Sequence, residues 1–183
     1  MSVTIKSPRE KELMREAGKI LAQVHNELGK IIKPGISTYE IDKEGERLIR
    51  SFGCEPSFLN YQGYPASICV SINDEVIHGI PSKKRIIREG DIVSIDTVAL
   101  KNGYNGDAAR TFIVGNVSKE AKRLIEVTKQ AFFEGIKYAQ PGYRIGDISH
   151  AIGEYVHSQG YSVVREFQGH GIGKSMHEDP RNS

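Results

Sequence analysis

Two aspartates invite a chemical question before anything else in the chain does. Asp96 and Asp107 sit in the stretch Asp91-Ile-Val-Ser-Ile-Asp96-Thr-Val-Ala-Leu-Lys-Asn-Gly-Tyr-Asn-Gly-Asp107-Ala-Ala-Arg-Thr-Phe-Ile-Val-Gly115. Two apolar, β-branched runs flank Asn102-Gly103, the sequence signal of a type I′ hairpin turn. With those two residues as the turn, Lys101 faces Tyr104 and Asp96 faces Ala109. Asp107 is then a diagonal neighbour of Asp96 on the same face of a β-ribbon. Like charges among Val, Ile and Phe repel each other and resist burial, so a cation between them would relieve both. A solvated loop position is the ordinary reading of an Asp close to a turn such as Asp107. Asp96 fits that reading poorly, because it interrupts a strand that otherwise reads as core.

Histidines could complete such a site, and six are present. His170 lies between Gly169 and Gly171, where missing side chains let the backbone approach something closely. Phosphate cradling is the weaker reading of this loop, since Glu166 precedes it and no helix start is evident. His78 stands at the end of a short apolar run before Gly79-Ile80-Pro81. His177 follows His170 too distantly to share a helical face or to form a His-Glu-x-x-His zinc motif. His25, His150 and His157 fall on helical stretches and read as surface or boundary residues. Two carboxylates with an imidazole make a mixed oxygen and nitrogen donor set. That set suits Mn, Fe, Co or Zn better than Ca, and two ions better than one when a carboxylate can bridge.

The elements that must position these groups are legible in outline. Ser7-Pro8-Arg9-Glu10 opens a helix with a capping box and a proline in its first turn. Leu13, Met14, Ala17, Ile20, Leu21, Val24, Leu28 and Ile31 carry its apolar stripe to about Ile32. Lys33-Pro34-Gly35 stops it, Ser37 or Thr38 caps a second helix, and Gly53 closes that one. Ser67–Ile72 reads as a strand, Asn73-Asp74-Glu75 as a turn and Val76-Ile77-His78 as a second short strand. Ser118 caps a third helix whose inner side is expected to carry Ala121, Leu124, Ile125, Thr128, Phe132, Ile136 and Ala139. Gln140-Pro141-Gly142 ends it, Ile145 to Gln159 forms a fourth helix closed by Gly160, and Ser162–Phe167 reads as a strand. The closing residues 178–183 show no recognisable cap or strand.

The two halves resemble each other. Lys33-Pro34-Gly35-Ile36 and its helix match Gln140-Pro141-Gly142-Tyr143 and its helix, with Gly53 falling on Gly160. The shared order of helix, Pro-Gly break, helix, glycine and strands points to an internal duplication, with halves of about 1–115 and 116–183 in one domain. By that symmetry the second half lacks its last strands.

Composition narrows the classes. A chain of 183 residues can bury a substantial core. Its 25 basic against 23 acidic residues leave a formal charge of +2, without the basic footprint of a nucleic-acid binder. No apolar run approaches a membrane span, no signal-peptide segment opens the chain, and two cysteines make no disulfide framework. A cytoplasmic protein is expected.

Assembled, these residues resemble the type I methionine aminopeptidases, metallopeptidases of the pita-bread α/β fold. The resemblance spans the chain and rests on Ser71-Ile-Asn-Asp-Glu-Val-Ile-His78-Gly-Ile-Pro81, Gly90-Asp91-Ile-Val-Ser-Ile-Asp96, Asn102-Gly-Tyr-Asn-Gly-Asp107, and Gly169-His170-Gly171-Ile172-Gly173 followed by His177. It implies removal of the initiator methionine from nascent polypeptides by a centre of two divalent ions (Co, Mn, Fe or Zn). Asp96, Asp107 and His170 match three of the family's metal ligands. His78 and His177 match its two substrate-binding and catalytic histidines. Phe58, Tyr61, Tyr64, Cys69 and Met176 fall where the family lines its methionine pocket. The resemblance further implies contact with nascent chains and with the ribosome, no direct nucleic-acid or membrane binding, and a monomer when the chain is complete. Two glutamate ligands of the family have no counterpart here, so the chain is expected to be C-terminally truncated, with the activity of the 183-residue form in question. Two alternatives stand beside the main reading: an inactive pita-bread remnant serving as a binding module, and a prolidase-like Xaa-Pro metallopeptidase.

Overall fold

The computed structural model describes residues 3–182, and Met1, Ser2 and Ser183 lie outside the described residues. The chain is mixed α/β and divides into two compact units. Thr4–Val117 and Ile172–His177 form one; Ser118–Gly171, residues 178–182 and Val3 belong to the other.

In the first unit, α1 (Pro8–Ile31) begins where the sequence places it. Ser7 Oγ accepts from the Glu10 N–H, the Glu10 carboxylate accepts from the Ser7 N–H, and Pro8 occupies the first turn. The same reciprocal box, Ser37 with Glu40, starts α2 (Thr38–Ser51), and Gly53 ends it at a φ of +66°. The sheet contains β1 (Glu55–Pro56), β2 (Cys69–Ile72), β3 (Ile92–Lys101) and β4 (Tyr104–Ile113), and β3 pairs antiparallel with each of the others. Asn102 (φ 51°) and Gly103 (φ 82°) make the β3–β4 turn left-handed at both central positions, as a type I′ turn demands.

Leu21, Val24 and Leu28 of α1 meet Ile41 and Ile49 of α2 and Val70, Val93 and Ile95 of the sheet in one buried core. Each such side chain contributes roughly 1.5–3 kcal/mol through removal from water. Gly106 sets how closely β4 meets α1, because a Cβ there would stand 2.9 Å from the Ala17 carbonyl carbon. The expected strand at 76–78 is absent. That segment is a loop with His78 at a φ of +57°, a backbone conformation that cannot continue a pleat.

The second unit contains α3 (Lys119–Ile136), α4 (Ile145–Ser158) and a hairpin of β5 (Gly169–Gly171) with β6 (Glu178–Asn182). Its order repeats that of the first: helix, Pro-Gly break, helix, glycine, strand. Three expectations need correction here. The inner face of α3 is Val127, Ala131 and Gly135, whereas Leu124, Phe132 and Ile136 stay exposed. The helix approaches α4 through its smallest residues, for a Cβ on Gly135 would lie 2.6 Å from Ile152 Cγ1. Leu124 and Phe132 instead line an apolar groove of about 440 Å³ with Ile152, Val156 and Val163. Ser162–Phe167 joins no ladder among the described residues despite its β-branched content. Conversely Glu178–Asn182 is a strand, fixed by pairing with β5 rather than by its own polar composition; Ser183 lies outside the described residues.

Candidate metal centre and substrate site

The β3–β4 register pairs Asp96 with Ala109 and Val98 with Asp107. Alternation along each strand therefore places both carboxylates diagonally on one face of the ribbon. Burial, followed by the charge of Asp107, pushes the Asp96 carboxyl up to about 7, against a smaller opposing hydrogen bond from the Thr97 backbone. A carboxylate pair held in this state is what a divalent cation relieves, so the donor set fits a hard or borderline metal ion. Among the described residues no three His, Cys, Asp or Glu side chains converge to form a complete metal cluster.

His170 belongs to the second unit, on β5. Its Nδ1 lies 2.9 Å from the Gly171 carbonyl oxygen, which can only accept, so Nδ1 carries the proton and Nε2 the lone pair. In that tautomer Nε2 is the ring atom able to ligate a metal.

On the other side of β3, Cys69 pairs with Asp96. Burial pushes the Cys69 thiol up to about 11; a Tyr64 hydrogen bond opposes this, while the charges of Asp96, Asp107 and Asp42 add to it. The thiol is thus protonated and acts as an apolar wall rather than a nucleophile. Tyr64 is raised in turn, first by burial, and its ring meets Phe58 edge-on at 6.0 Å between centroids. Phe58, Tyr64 and Cys69 are thereby gathered beside Asp96. Met176 is buried in the same unit, next to His177.

His78 is exposed, but its position is set by the residue after it. The Gly79 N–H donates to Ser71 Oγ at 3.0 Å, and its carbonyl accepts from the Val70 N–H at 2.9 Å and from the Tyr64 hydroxyl at 3.2 Å. A Cβ at Gly79 would stand 2.2 Å from the Val70 oxygen, so only glycine permits this contact.

His177 ends the Ile172–His177 segment, which packs with the first unit. Asn105, two residues before Asp107, holds that segment. Its backbone N–H donates to the Gly173 carbonyl at 2.8 Å, and its Nδ2 donates to the carbonyls of Gly173 (3.1 Å) and Lys174 (3.0 Å). Its own Oδ1 accepts from Ser57 Oγ at 2.7 Å. The Tyr61 hydroxyl lies 3.0 Å from His177 Nδ1.

Two contributors escape a reading of the sequence. Asn105 resembles turn material, and its only signal is that Asn is depleted in strands. His25, expected at a surface or boundary, is buried: its Nε2 sits 3.0 Å from the Ala108 carbonyl and 2.9 Å from Thr97 Oγ1. Thr97 and Ala108 directly follow Asp96 and Asp107, so His25 braces the ribbon from its opposite face.

Comparisons with known proteins give the family. Residues 12–183 match the model of metallopeptidase family M24. The chain is 56% identical to the methionine aminopeptidase of Clostridium acetobutylicum, over 97% of its own length and 71% of that protein's. It is 52% identical to methionine aminopeptidase 1 of Bacillus subtilis, over 98% and 72% respectively. The crystal structure of the Rickettsia prowazekii methionine aminopeptidase superposes at a TM-score of 0.96 with 40% identity, over 99% of this chain and 73% of that one. The fold is therefore the pita-bread α/β fold of those enzymes. On the strength of these matches and the aspartate-bearing ribbon, the chain belongs to metallopeptidase family M24, among its methionine aminopeptidases.

Proposed function

We propose that this protein is a metal-dependent aminopeptidase that removes the initiator methionine from nascent polypeptides. The observation that carries the reading is the partly buried Asp96 lying diagonal to Asp107 on one ribbon face, a pair of like charges that a cation resolves. Asp96, Asp107 and His170 would hold two divalent ions, drawn from Co, Mn, Fe and Zn. Bound there, such ions supply Lewis acidity, lowering the pKa of coordinated water and polarising the scissile carbonyl.

The remaining chemistry falls to side chains of the chain itself. His177 donates a hydrogen bond to the oxygen that gains charge in the transition state, and His78 hydrogen-bonds beside the scissile amide. Phe58, Tyr61, Tyr64, Cys69 and Met176 receive the methionine side chain on an apolar surface that offers no competing charge. Cys54 and Cys69 are both free thiols, consistent with work in the reducing cytoplasm. Nascent chains, met near the ribosome, are the partners, and the complete enzyme acts as a monomer.

The test is release of methionine from a Met-Ala-Ser tripeptide by the 183-residue chain with Mn(II) or Co(II). Turnover that Asp107→Ala abolishes supports the reading. Absence of both turnover and stoichiometric metal uptake overturns it.

A further inference from the structure

We propose that Tyr61 is a positioning residue that fixes His177 as an Nε2–H donor, and that Asn105 holds the segment on which His177 is presented. The inference rests on the role given to His177 above. A neutral imidazole can place its single proton on either nitrogen, and only the form protonated at Nε2 can donate from that atom.

The Tyr61 hydroxyl, 3.0 Å from Nδ1, selects between the two forms. The same hydroxyl oxygen accepts from Gln62 Nε2 at 3.4 Å; with one lone pair engaged there, we assign its one proton to Nδ1, the direction that the experiment below reads. Nδ1 is then an acceptor, and the imidazole proton resides on Nε2. The rings are also in contact, with centroids 5.6 Å apart.

Tyr61 is set in place by an unusual stretch of backbone. Asn60 (φ 65°) and Gln62 (φ 48°) both occupy the left-handed region on either side of it. Two non-glycine residues in that conformation, separated by a single position, cost free energy and persist only where surrounding contacts impose them. The Asn60 N–H donates to the Tyr64 carbonyl at 3.0 Å and the Tyr61 N–H to the Phe58 carbonyl at 2.9 Å, closing the loop around the tyrosine. On the histidine side, Asn105 is buried, and its amide nitrogen donates to two successive carbonyls of the segment carrying His177. Tyr61 therefore has a task beyond contributing apolar surface: its hydroxyl, not its ring, decides which nitrogen of His177 is the donor.

The experiment is ¹⁵N NMR on histidine-labelled protein at about pH 8.5, two units above the ordinary imidazole value. His177 is assigned by loss of its signals in His177→Gln. The expected wild-type pattern is a single Nε2–H tautomer. Tyr61→Phe, which keeps the ring and removes the hydroxyl, should shift the tautomer ratio toward Nδ1–H by roughly fivefold, the contribution of one neutral hydrogen bond. Asn105→Asp should accelerate amide exchange in residues 172–177 by roughly tenfold while the β3–β4 amides keep their protection. A wild-type His177 protonated at Nδ1, or a ratio unmoved in Tyr61→Phe, overturns the role of Tyr61. Unchanged exchange in Asn105→Asp overturns that of Asn105. Neither measurement requires turnover, so failure of methionine release would count against the proposed activity alone.

Discussion

His25 offers a sharp quantitative test of how the ribbon is braced. Its Nε2 faces the Ala108 carbonyl, which only accepts, so Nε2 carries the proton and Nδ1 is bare. Nδ1 is buried and has no hydrogen-bond partner. Charging the ring would place an N–H⁺ in that apolar position. Burial accordingly pushes His25 below its ordinary value of 6.5; the Ala108 carbonyl pulls it back, and the nearby Arg110 pushes it further down. In the unfolded chain the ring titrates normally.

The sign follows directly. Above 6.5 both states are neutral and His25 adds no pH dependence. As pH falls below 6.5 the unfolded state binds more protons, so stability is lost toward acid. For a ring that stays neutral when folded, the loss between pH 7.5 and 5.5 is roughly 1.4 kcal/mol.

His25→Gln, whose amide can replace the Nε2 donor without titrating, should remove that increment. Urea unfolding of both proteins at pH 7.5, 6.5 and 5.5, with chelator present to exclude metal linkage, measures it. The wild type should be the more stable at pH 7.5 and lose up to about 1.4 kcal/mol of its advantage on acidification, the limit for a ring that stays neutral when folded. A stability difference that stays constant across the three pH values would refute the reasoning, because it would mean that the ring accepts a proton in place.

Other consequences can be checked with single substitutions. Asp96→Asn and Asp107→Asn should each weaken Mn(II) or Co(II) binding by roughly a hundredfold or more, since even residues behind a ligand are worth ten- to a hundredfold; titration calorimetry reads this. Gly79→Ala should shift the loop bearing His78, because its Cβ would meet the Val70 oxygen at 2.2 Å, and kcat/KM should fall by far more than stability accounts for. Gly106→Ala should push β4 off α1 at Ala17 and destabilise the fold by about 1–3 kcal/mol, seen as a lower Tm. Ser37→Ala removes one half of the capping box of α2 and should cost about 1 kcal/mol in urea unfolding.

The features that could be read from the sequence are those decided locally. The β3–β4 hairpin is specified by two residues that tolerate positive φ between β-branched runs, and its register fixes which side chains share a face. The caps of α1 and α2 are likewise written within four residues. The errors arise where the deciding partner is distant. Val76-Ile77-His78 and Ser162–Phe167 have strand composition but join no ladder, whereas Glu178–Asn182 has little strand propensity and pairs with β5. α3 turns a small-residue face to α4, because the fit at Gly135 outweighs the larger apolar side chains. His25 and Asn105 were invisible as site residues, since their partners lie 83 and 68 residues away. The aspartate pair was the exception: a non-local pairing that a short turn makes predictable.

The Asn105 contacts also impose a schedule. Its side-chain bonds to Gly173 and Lys174 span 68 and 69 residues. During synthesis at roughly 5–20 residues per second, His177 leaves the ribosomal machinery some 4–14 seconds after Asn105 does. The ribbon with both aspartates can be paired and packed on α1 well before the residue that completes its hydrogen-bonding partner set exists. For that interval Asn105 lacks the Gly173 and Lys174 carbonyls to which it donates in the finished fold, and His177 is not yet presented.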